Sequence, residues 1–262
     1  MSSTENPLPL SEPVPPPPPP LRDPIWNGWD VAMIGIVAVG GIFVFGALIG
    51  IVTKILGYSV GGTTSTLRMI LIAQFLAYVA VLWFMRHLVV EHYGARWNDA
   101  VHWHWPAENW FTWIGAGIML AFAVQLISML LPVPRALPID KYFQNTQAAW
   151  MMSIFGVTMA PLIEELFFRG FLYPVLARRI GVAVGAVVTA IGFAFLHASQ
   201  LAGAWAPLLM LFIVGLVLTI VRIVKNAVAP SFLMHVGYNL TLFTLLWLAT
   251  DHFRHMEKLL QQ

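Results

Sequence analysis

Residues 160–171 read Ala160-Pro161-Leu162-Ile163-Glu164-Glu165-Leu166-Phe167-Phe168-Arg169-Gly170-Phe171. Two adjacent carboxylates and one arginine therefore stand inside an apolar run. A charged side chain at the centre of a bilayer costs about 2.5 to 3.5 kcal/mol on insertion scales, so such groups face a protein or water-filled interior and usually serve a function. The stretch predicts a membrane-embedded helix that carries a polar functional site.

The composition of the whole chain is that of a membrane protein. Of 262 residues, 59% are hydrophobic and 10% are charged, whereas a globular domain carries about 25% charged residues. The formal net charge is only +2 and no basic face is formed, so we expect no nucleic-acid partner. Cysteine is absent, which excludes thiol catalysis and thiolate ligands to zinc. The expected partners are instead the lipid bilayer and a substrate.

Apolar stretches of about 20 residues, the length that crosses a bilayer, recur along the chain. We place them at 30–52, 67–90, 109–131, 148–173, 182–196, 206–224 and 227–249. They predict an all-α fold, a polytopic membrane helix bundle with about seven transmembrane segments. The fifth stretch is short and the fourth contains Pro161 and the charges, so either one could be tilted, broken or re-entrant.

The chain divides into four parts. Residues 1–24 are polar and proline-rich, which predicts a disordered, extended arm. Residues 25–142 hold the N-terminal transmembrane helices and loops, 143–250 hold a helical core with the polar motifs, and 251–262 form a polar C-terminal tail. With the N-terminus in the cytoplasm, the inner loops carry slightly more Lys and Arg than the outer ones, which favours that orientation for this multi-pass integral membrane protein.

The spacing of the charges in the quoted stretch separates the two glutamates. Glu165 and Arg169 stand at i and i+4 on one helix face, where opposite charges meet. Glu164 is rotated by about 100° from Glu165 because the helix has 3.6 residues per turn. Arg169 can therefore neutralise Glu165, which leaves Glu164 as the candidate general base.

Later spans contribute further polar groups. His197 follows Phe193 at i+4 in one span, and His235 and Asn239 share a face in the last span. A single histidine in a membrane helix is usually a packing residue, but a carboxylate pair, two imidazoles and an amide on three spans indicate a site. Membrane serine-protease, aspartyl-protease and H-E-x-x-H motifs are absent. Water is the nucleophile that remains.

Three motifs, Glu164-Glu165-x-x-x-Arg169, Phe193-x-x-x-His197 and His235-x-x-x-Asn239, follow one another on successive predicted helices. In order and spacing they resemble the three motifs of the CAAX protease and bacteriocin-processing (CPBP) intramembrane endopeptidases, the Rce1-like family. The resemblance covers roughly residues 145–245. The first three spans match only as generic membrane helices.

The resemblance implies an intramembrane endopeptidase with a CPBP-type catalytic core. Glu164 would act as the base on a water that His197 also holds, while Glu165 would pair with Arg169 and fix the motif helix. His235 and Asn239 would stabilise the oxyanion. The implied substrate is a peptide or protein, which in some family members carries a lipidated C-terminus.

Several alternatives stay open at this point. Two histidines and a glutamate are enough ligands for a catalytic zinc ion, so the cofactor is either none or a divalent metal such as zinc. A non-catalytic membrane scaffold or bacteriocin-immunity-type protein could share the fold, since a fold does not fix an activity. A proton-coupled transporter could use Glu164 and the histidines as a relay.

Overall fold

The computed structural model describes residues 23–58, 61–134, 137–143 and 145–255. Every regular element within these ranges is helical, which confirms the predicted all-α fold. Positions 1–22 of the predicted proline-rich arm and 256–262 of the predicted polar tail lie outside the described residues.

Ten α-helices follow one another along the described part of the chain. They are α1 (Gly28–Ile55), α2 (Thr63–His87), α3 (Trp97–Ala100), α4 (Trp110–Ser128), α5 (Thr146–Val157), α6 (Met159–Glu165), α7 (Tyr173–Ile180), α8 (Val182–Leu196), α9 (Trp205–Lys225) and α10 (Val228–Ala249). Two π-helical segments, Leu88–His92 and Leu166–Leu172, continue α2 and α6, and the 3₁₀ segment Pro138–Phe143 precedes α5.

The helix lengths and the outer surface of the bundle match a lipid bilayer. Six helical stretches within the described residues are long and apolar enough to cross it, and α8 is a shorter apolar helix, which confirms a bundle of about seven segments. The outer surface carries large apolar side chains such as Phe43, Leu130 and Val224, exposed by 72%, 83% and 70%. Apolar surface of this extent is stable when it faces lipid. The protein is therefore an integral, multi-pass membrane protein.

The fourth predicted span is broken near its middle. Helix α5 ends at Val157, and Thr158 departs from helical geometry with φ −108° and ψ −73° before α6 begins at Met159. Pro161 lies in the first turn of α6, where its missing N–H removes no intrahelical bond. Proline thus starts a new helix there, and this helix carries the glutamates.

Glycines let α4 and α10 approach closely. A Cβ atom on Gly117 of α4 would lie 2.0 Å from the Met234 carbonyl oxygen, and one on Gly237 of α10 would lie 2.3 Å from the Ile114 carbonyl oxygen. Real Cβ atoms do not come this near to backbone atoms, so each position requires glycine. The contact fixes α10, and with it His235, against α4.

The motif helix packs on both sides. On one side Trp26 is fully buried, its ring stacks on Phe171 at 4.4 Å, and its indole N–H donates to the Phe171 carbonyl at 3.1 Å. On the other side Phe168 packs with Phe193 and Tyr238 in a second apolar cluster. The segment after Glu165 is therefore held between the N-terminal helices and α8–α10.

The bundle has two ends, and we call the end at which α1 begins proximal and the opposite end distal. At the proximal end, Tyr93 after α2 donates to Asp30 at the start of α1 at 2.7 Å, so α1 and α2 run antiparallel. At the distal end, the Asn145 amide donates to the Thr64 hydroxyl at 2.7 Å, and the 3₁₀ segment joins the loop after α8 through the Ile139 N–H and the Gln200 carbonyl. Asn27, which caps α1, also lies at the proximal end.

Candidate active site

Glu164 and Glu165 are the last residues of α6, directly before the π-helical segment. A π-turn widens the helix and often marks a functional position. Both carboxylates are buried: Glu165 has no exposed surface, and Glu164 is 9% exposed. They point into different surroundings, because adjacent helical residues differ by about 100°.

Glu165 and Arg169 form the ion pair that the sequence predicts. Nη1 of Arg169 donates to Oε1 of Glu165 at 2.7 Å, and both side chains are inaccessible to solvent. The remaining guanidinium nitrogens donate to the Gly215 carbonyl at 2.7 Å and the Thr219 hydroxyl at 3.3 Å. The cation also lies 4.7 Å from the centre of the Phe193 ring. Arg169 thus ties the motif helix to α8 and α9.

The π-segment is supported by an arginine whose part in the site the sequence analysis missed. Arg222 of α9 is only 4% exposed, and its Nε donates to the Arg169 carbonyl at 3.3 Å while Nη1 donates to Asn226 at 2.9 Å. A carbonyl in a widened turn needs such a donor when it is buried. An arginine near the end of an apolar span is otherwise typical of an interfacial anchor.

His235 lies between the two carboxylates. Its Nδ1 is 3.0 Å from Oε1 of Glu165, and its Nε2 is 3.8 Å from Oε2 of Glu164. The first distance is that of a hydrogen bond, whereas the second is too long for one. Helical spacing pairs His235 only with Asn239 and does not predict the bond to Glu165, because that bond joins residues 70 positions apart.

His197 and Asn239 are both oriented by backbone carbonyls. Nδ1 of His197 lies 3.0 Å from the Phe193 carbonyl, and because a carbonyl only accepts, Nδ1 carries the proton and Nε2 stays available. Asn239 donates through Nδ2 to the Gly156 carbonyl at 2.7 Å. This bond joins α10 to α5 just before the break at Thr158.

One cavity of about 590 Å³ collects these groups. Its lining includes Glu164, His197, His235 and Asn239, whereas Glu165 and Arg169 lie behind the wall. The structure therefore brings four of the six predicted site residues to the cavity and places the ion pair as their support.

The cavity extends beyond the predicted site. From Glu164 it reaches the distal end, where Tyr142 and Gln200 line it. Helix α2 adds two polar side chains, Gln74 and Tyr78, which the sequence analysis missed. A polar pair at i and i+4 in an apolar helix is the signal that could have found them.

The side chains of the site do not fit the zinc centre that the sequence left open. Within the described residues no group of three or more His, Asp or Glu side chains is placed to hold a metal ion. Nδ1 of His235 is already bonded to Glu165. A catalytic zinc ion requires three protein ligands around one point, and the described side chains form no such set.

Comparison with known proteins agrees with this geometry. Residues 146–241 match the family model for Rce1-like proteins, described as type II CAAX prenyl endopeptidase Rce1-like. The match begins with α5, ends within α10 and includes all six predicted site residues. Neither the curated proteins nor the solved structures gave a match.

Proposed function

We propose that the chain is a CAAX-protease-like intramembrane endopeptidase that hydrolyses a peptide bond with water activated by Glu164. Residues 146–241 match the Rce1-like family model, and the chain is a multi-pass membrane bundle. The convergence of Glu164, His197, His235 and Asn239 on one cavity carries the proposal. Within hydrocarbon, polar groups gathered in this way need a function to offset their cost.

The proposed reaction begins at Glu164. Its carboxylate takes a proton from a water molecule as the water oxygen bonds to the peptide carbonyl carbon. The carbonyl electrons move to oxygen and form a tetrahedral oxyanion. Collapse of this intermediate breaks the C–N bond, and the Glu164 carboxyl returns its proton to the leaving amine. The products are a new carboxyl terminus and a free amino terminus.

His197 orients the water in this scheme. Because its Nδ1–H is bonded to the Phe193 carbonyl, Nε2 is the nitrogen that can accept the second hydrogen of the water. A water held by Glu164 and His197 together has its lone pairs directed away from both. Such positioning removes much of the entropic cost of the attack.

His235 and Asn239 receive the oxyanion in this proposal. Nδ1 of His235 faces Oε1 of Glu165 at 3.0 Å, and since a carboxylate oxygen only accepts, Nδ1 is the donor. In the proposed role the ring binds the oxyanion as an imidazolium, through Nε2–H. Asn239 adds its second N–H, since only one is given to Gly156.

The proposed substrate is a peptide or protein with a lipidated C-terminus. The matching family model is described as a type II CAAX prenyl endopeptidase. Apolar side chains line the cavity beside the polar groups, among them Leu71, Phe155 and Leu242. An isoprenoid chain buried against such a surface gains about 25 cal/mol per Å².

Hydrolysis by the full-length protein in detergent tests the proposal. The probe is an internally quenched peptide ending in farnesyl-cysteine-aliphatic-aliphatic-X, with its non-prenylated twin. We expect the wild type to cleave the prenylated probe and Glu164→Gln to lose turnover, because the amide cannot accept the proton. The melting temperature should stay within a few degrees of the wild type.

Glu91→Gln is the matched control, since Glu91 is exposed at the proximal end and should cleave at the wild-type rate. Retained cleavage by Glu164→Gln would contradict the assigned base. A wild type that cleaves neither probe would instead favour the scaffold or transporter alternatives.

A further inference from the structure

Helix α2 brings a polar pair into the cavity from outside the matched domain. Nε2 of Gln74 donates to the hydroxyl oxygen of Tyr78 at 2.8 Å, and both side chains line the cavity with Glu164. Neither residue lies within 146–241, and neither belongs to the three motifs. Polar groups at this depth in an apolar helix are costly and indicate a function.

The bond from Gln74 sets what the Tyr78 hydroxyl can do. Since the amide nitrogen is the donor, the hydroxyl oxygen accepts and keeps its own proton for another acceptor. Tyr78 and Glu164 line the same cavity. The Tyr78 ring is fixed by stacking on Phe155, with centroids 5.6 Å apart and planes inclined by 25°. Tyr78 therefore presents a directed donor to the cavity.

Among the described residues, the proposed oxyanion site has only two other donors, Nε2–H of His235 and the second N–H of Asn239, because the remaining N–H groups of its side chains are already bonded. The Nδ1–H of His197 is given to the Phe193 carbonyl, and that of His235 to Glu165. One N–H of Asn239 is given to the Gly156 carbonyl. A tetrahedral oxyanion is stabilised by donors aimed at it before the reaction starts. Tyr78 supplies one from α2.

We propose that Tyr78, oriented by Gln74, is a further catalytic residue that donates a hydrogen bond to the oxyanion of the tetrahedral intermediate. The proposal rests on the proposed function and extends the site to a helix outside the matched domain. Tyr78 keeps its proton throughout, because Glu164 carries out the proton transfer. The hydroxyl binds the oxygen more strongly once it bears a full negative charge.

Tyr78→Phe tests the proposal in the full-length protein. Loss of one oxyanion donor lowers kcat by about 100-fold or more, and we expect that loss with little change in KM. A second readout is the affinity for the same prenylated peptide with a phosphinate group, which is tetrahedral, in place of the scissile bond. Its Kd should rise by about the same factor, while binding of the uncleaved peptide to inactive Glu164→Gln should not weaken further when Tyr78→Phe is added.

The matched control is Tyr58→Phe. Tyr58 follows α1, is 68% exposed and does not line the cavity, so the substitution removes an equivalent hydroxyl outside the site. It should leave kcat and the Kd of the phosphinate unchanged. Equal losses in the two tyrosine variants would overturn the assignment to Tyr78.

Gln74→Glu gives an independent check. A carboxylate at this position accepts the Tyr78 proton and withdraws it from the cavity, so kcat should fall as far as in Tyr78→Phe. The double variant should be no worse than either single one, because the same hydrogen bond is already lost. Additive losses would show that the two residues act separately, and would overturn the proposal.

Failure of this proposal is distinguishable from failure of the proposed function. Cleavage by the wild type and its loss in Glu164→Gln report the reaction itself. If Tyr78→Phe keeps the wild-type kcat and the wild-type affinity for the phosphinate, the role of Tyr78 is overturned and the proposed reaction is not. If Tyr78→Phe weakens the binding of the uncleaved peptide and of the phosphinate equally, the role is overturned as well, because Tyr78 then only packs against the bound peptide. A wild type that neither cleaves the peptide nor binds the phosphinate overturns both proposals.

Discussion

Glu165 shows how one buried side chain can support both stability and chemistry. Its Oε1 accepts from Arg169 at 2.7 Å and from His235 at 3.0 Å, so the carboxylate joins the motif helix to α10. Its Oε2 has no hydrogen-bond partner among the described residues. A buried carboxylate is costly unless it is paired, and here the pairing also orients the imidazole.

Removal of this carboxylate should destabilise the protein strongly. Glu165→Ala leaves the Arg169 guanidinium buried without its counter-ion, and breaking a buried pair in this way costs about 3 to 5 kcal/mol. We expect a lower melting temperature and a lower yield of folded protein in detergent, measured by intrinsic fluorescence or size-exclusion chromatography.

The control for this prediction is an exposed pair. Arg96 and Asp99 are 3.3 Å apart, with side chains that are 89% and 57% exposed, and exposed pairs contribute little. Asp99→Ala should therefore leave the melting temperature nearly unchanged. If Glu165→Ala melts as the wild type does, the buried pair does not hold the motif helix.

At the scale of elements, the contact between α4 and α10 decides where His235 and Asn239 lie. Gly237 stands between these two residues, and its missing side chain lets the helix approach Ile114. Helices that pack through small residues gain close van der Waals contact in a membrane. The last motif therefore depends on a helix outside the matched domain.

Gly237→Ala should force α10 away from α4. The new Cβ would stand 2.3 Å from the Ile114 carbonyl oxygen, and overpacking of this kind costs about 1 to 3 kcal/mol. Because the shift also moves His235 and Asn239, we expect kcat on the prenylated probe to fall together with thermal stability. Gly115→Ala is the matched control, since a Cβ on Gly115 would have no neighbour within 4 Å. Similar losses in both variants would contradict a specific contact at Gly237.

What the sequence could predict depended on the distance between interacting residues along the chain. The pairing of Glu165 with Arg169 is local, so helical spacing alone predicts it. The bonds from His235 to Glu165 and from Asn239 to Gly156 join residues 70 and 83 positions apart, and no single-sequence pattern specifies them.

Backbone irregularity was predictable only in part. Pro161 indicated an interruption of the fourth span, and the structure places it at Thr158. The π-segment Leu166–Leu172 has no composition that distinguishes it from an α-helix. Its form depends on contacts such as that of Arg222 with the Arg169 carbonyl.

At the scale of the whole molecule, α1 begins at the end of the bundle opposite to the one that the cavity reaches. Gly28 begins α1 at the proximal end, whereas Gln200 and Tyr142 line the cavity at the distal end. With the N-terminus in the cytoplasm, as we propose, the cavity reaches toward the opposite face of the membrane.

Labelling with a membrane-impermeant maleimide tests this arrangement without background, because the chain contains no cysteine. We expect Gln200→Cys to label in intact cells and Glu91→Cys only after permeabilisation, since the two exposed positions lie at opposite ends. The reverse pattern would invert the proposed orientation. Labelling of both from the same side would contradict the arrangement of the ends.

The short helix α8 has a consequence for the surrounding lipid. With 15 residues it spans about 22 Å at 1.5 Å per residue, whereas the hydrocarbon layer is about 30 Å thick. The bilayer beside α8 must therefore thin, or admit polar headgroups, to match it. His197 stands directly after Leu196, the last residue of this helix. This local thinning of the bilayer would give water a short path to a site that otherwise lies within the hydrocarbon layer.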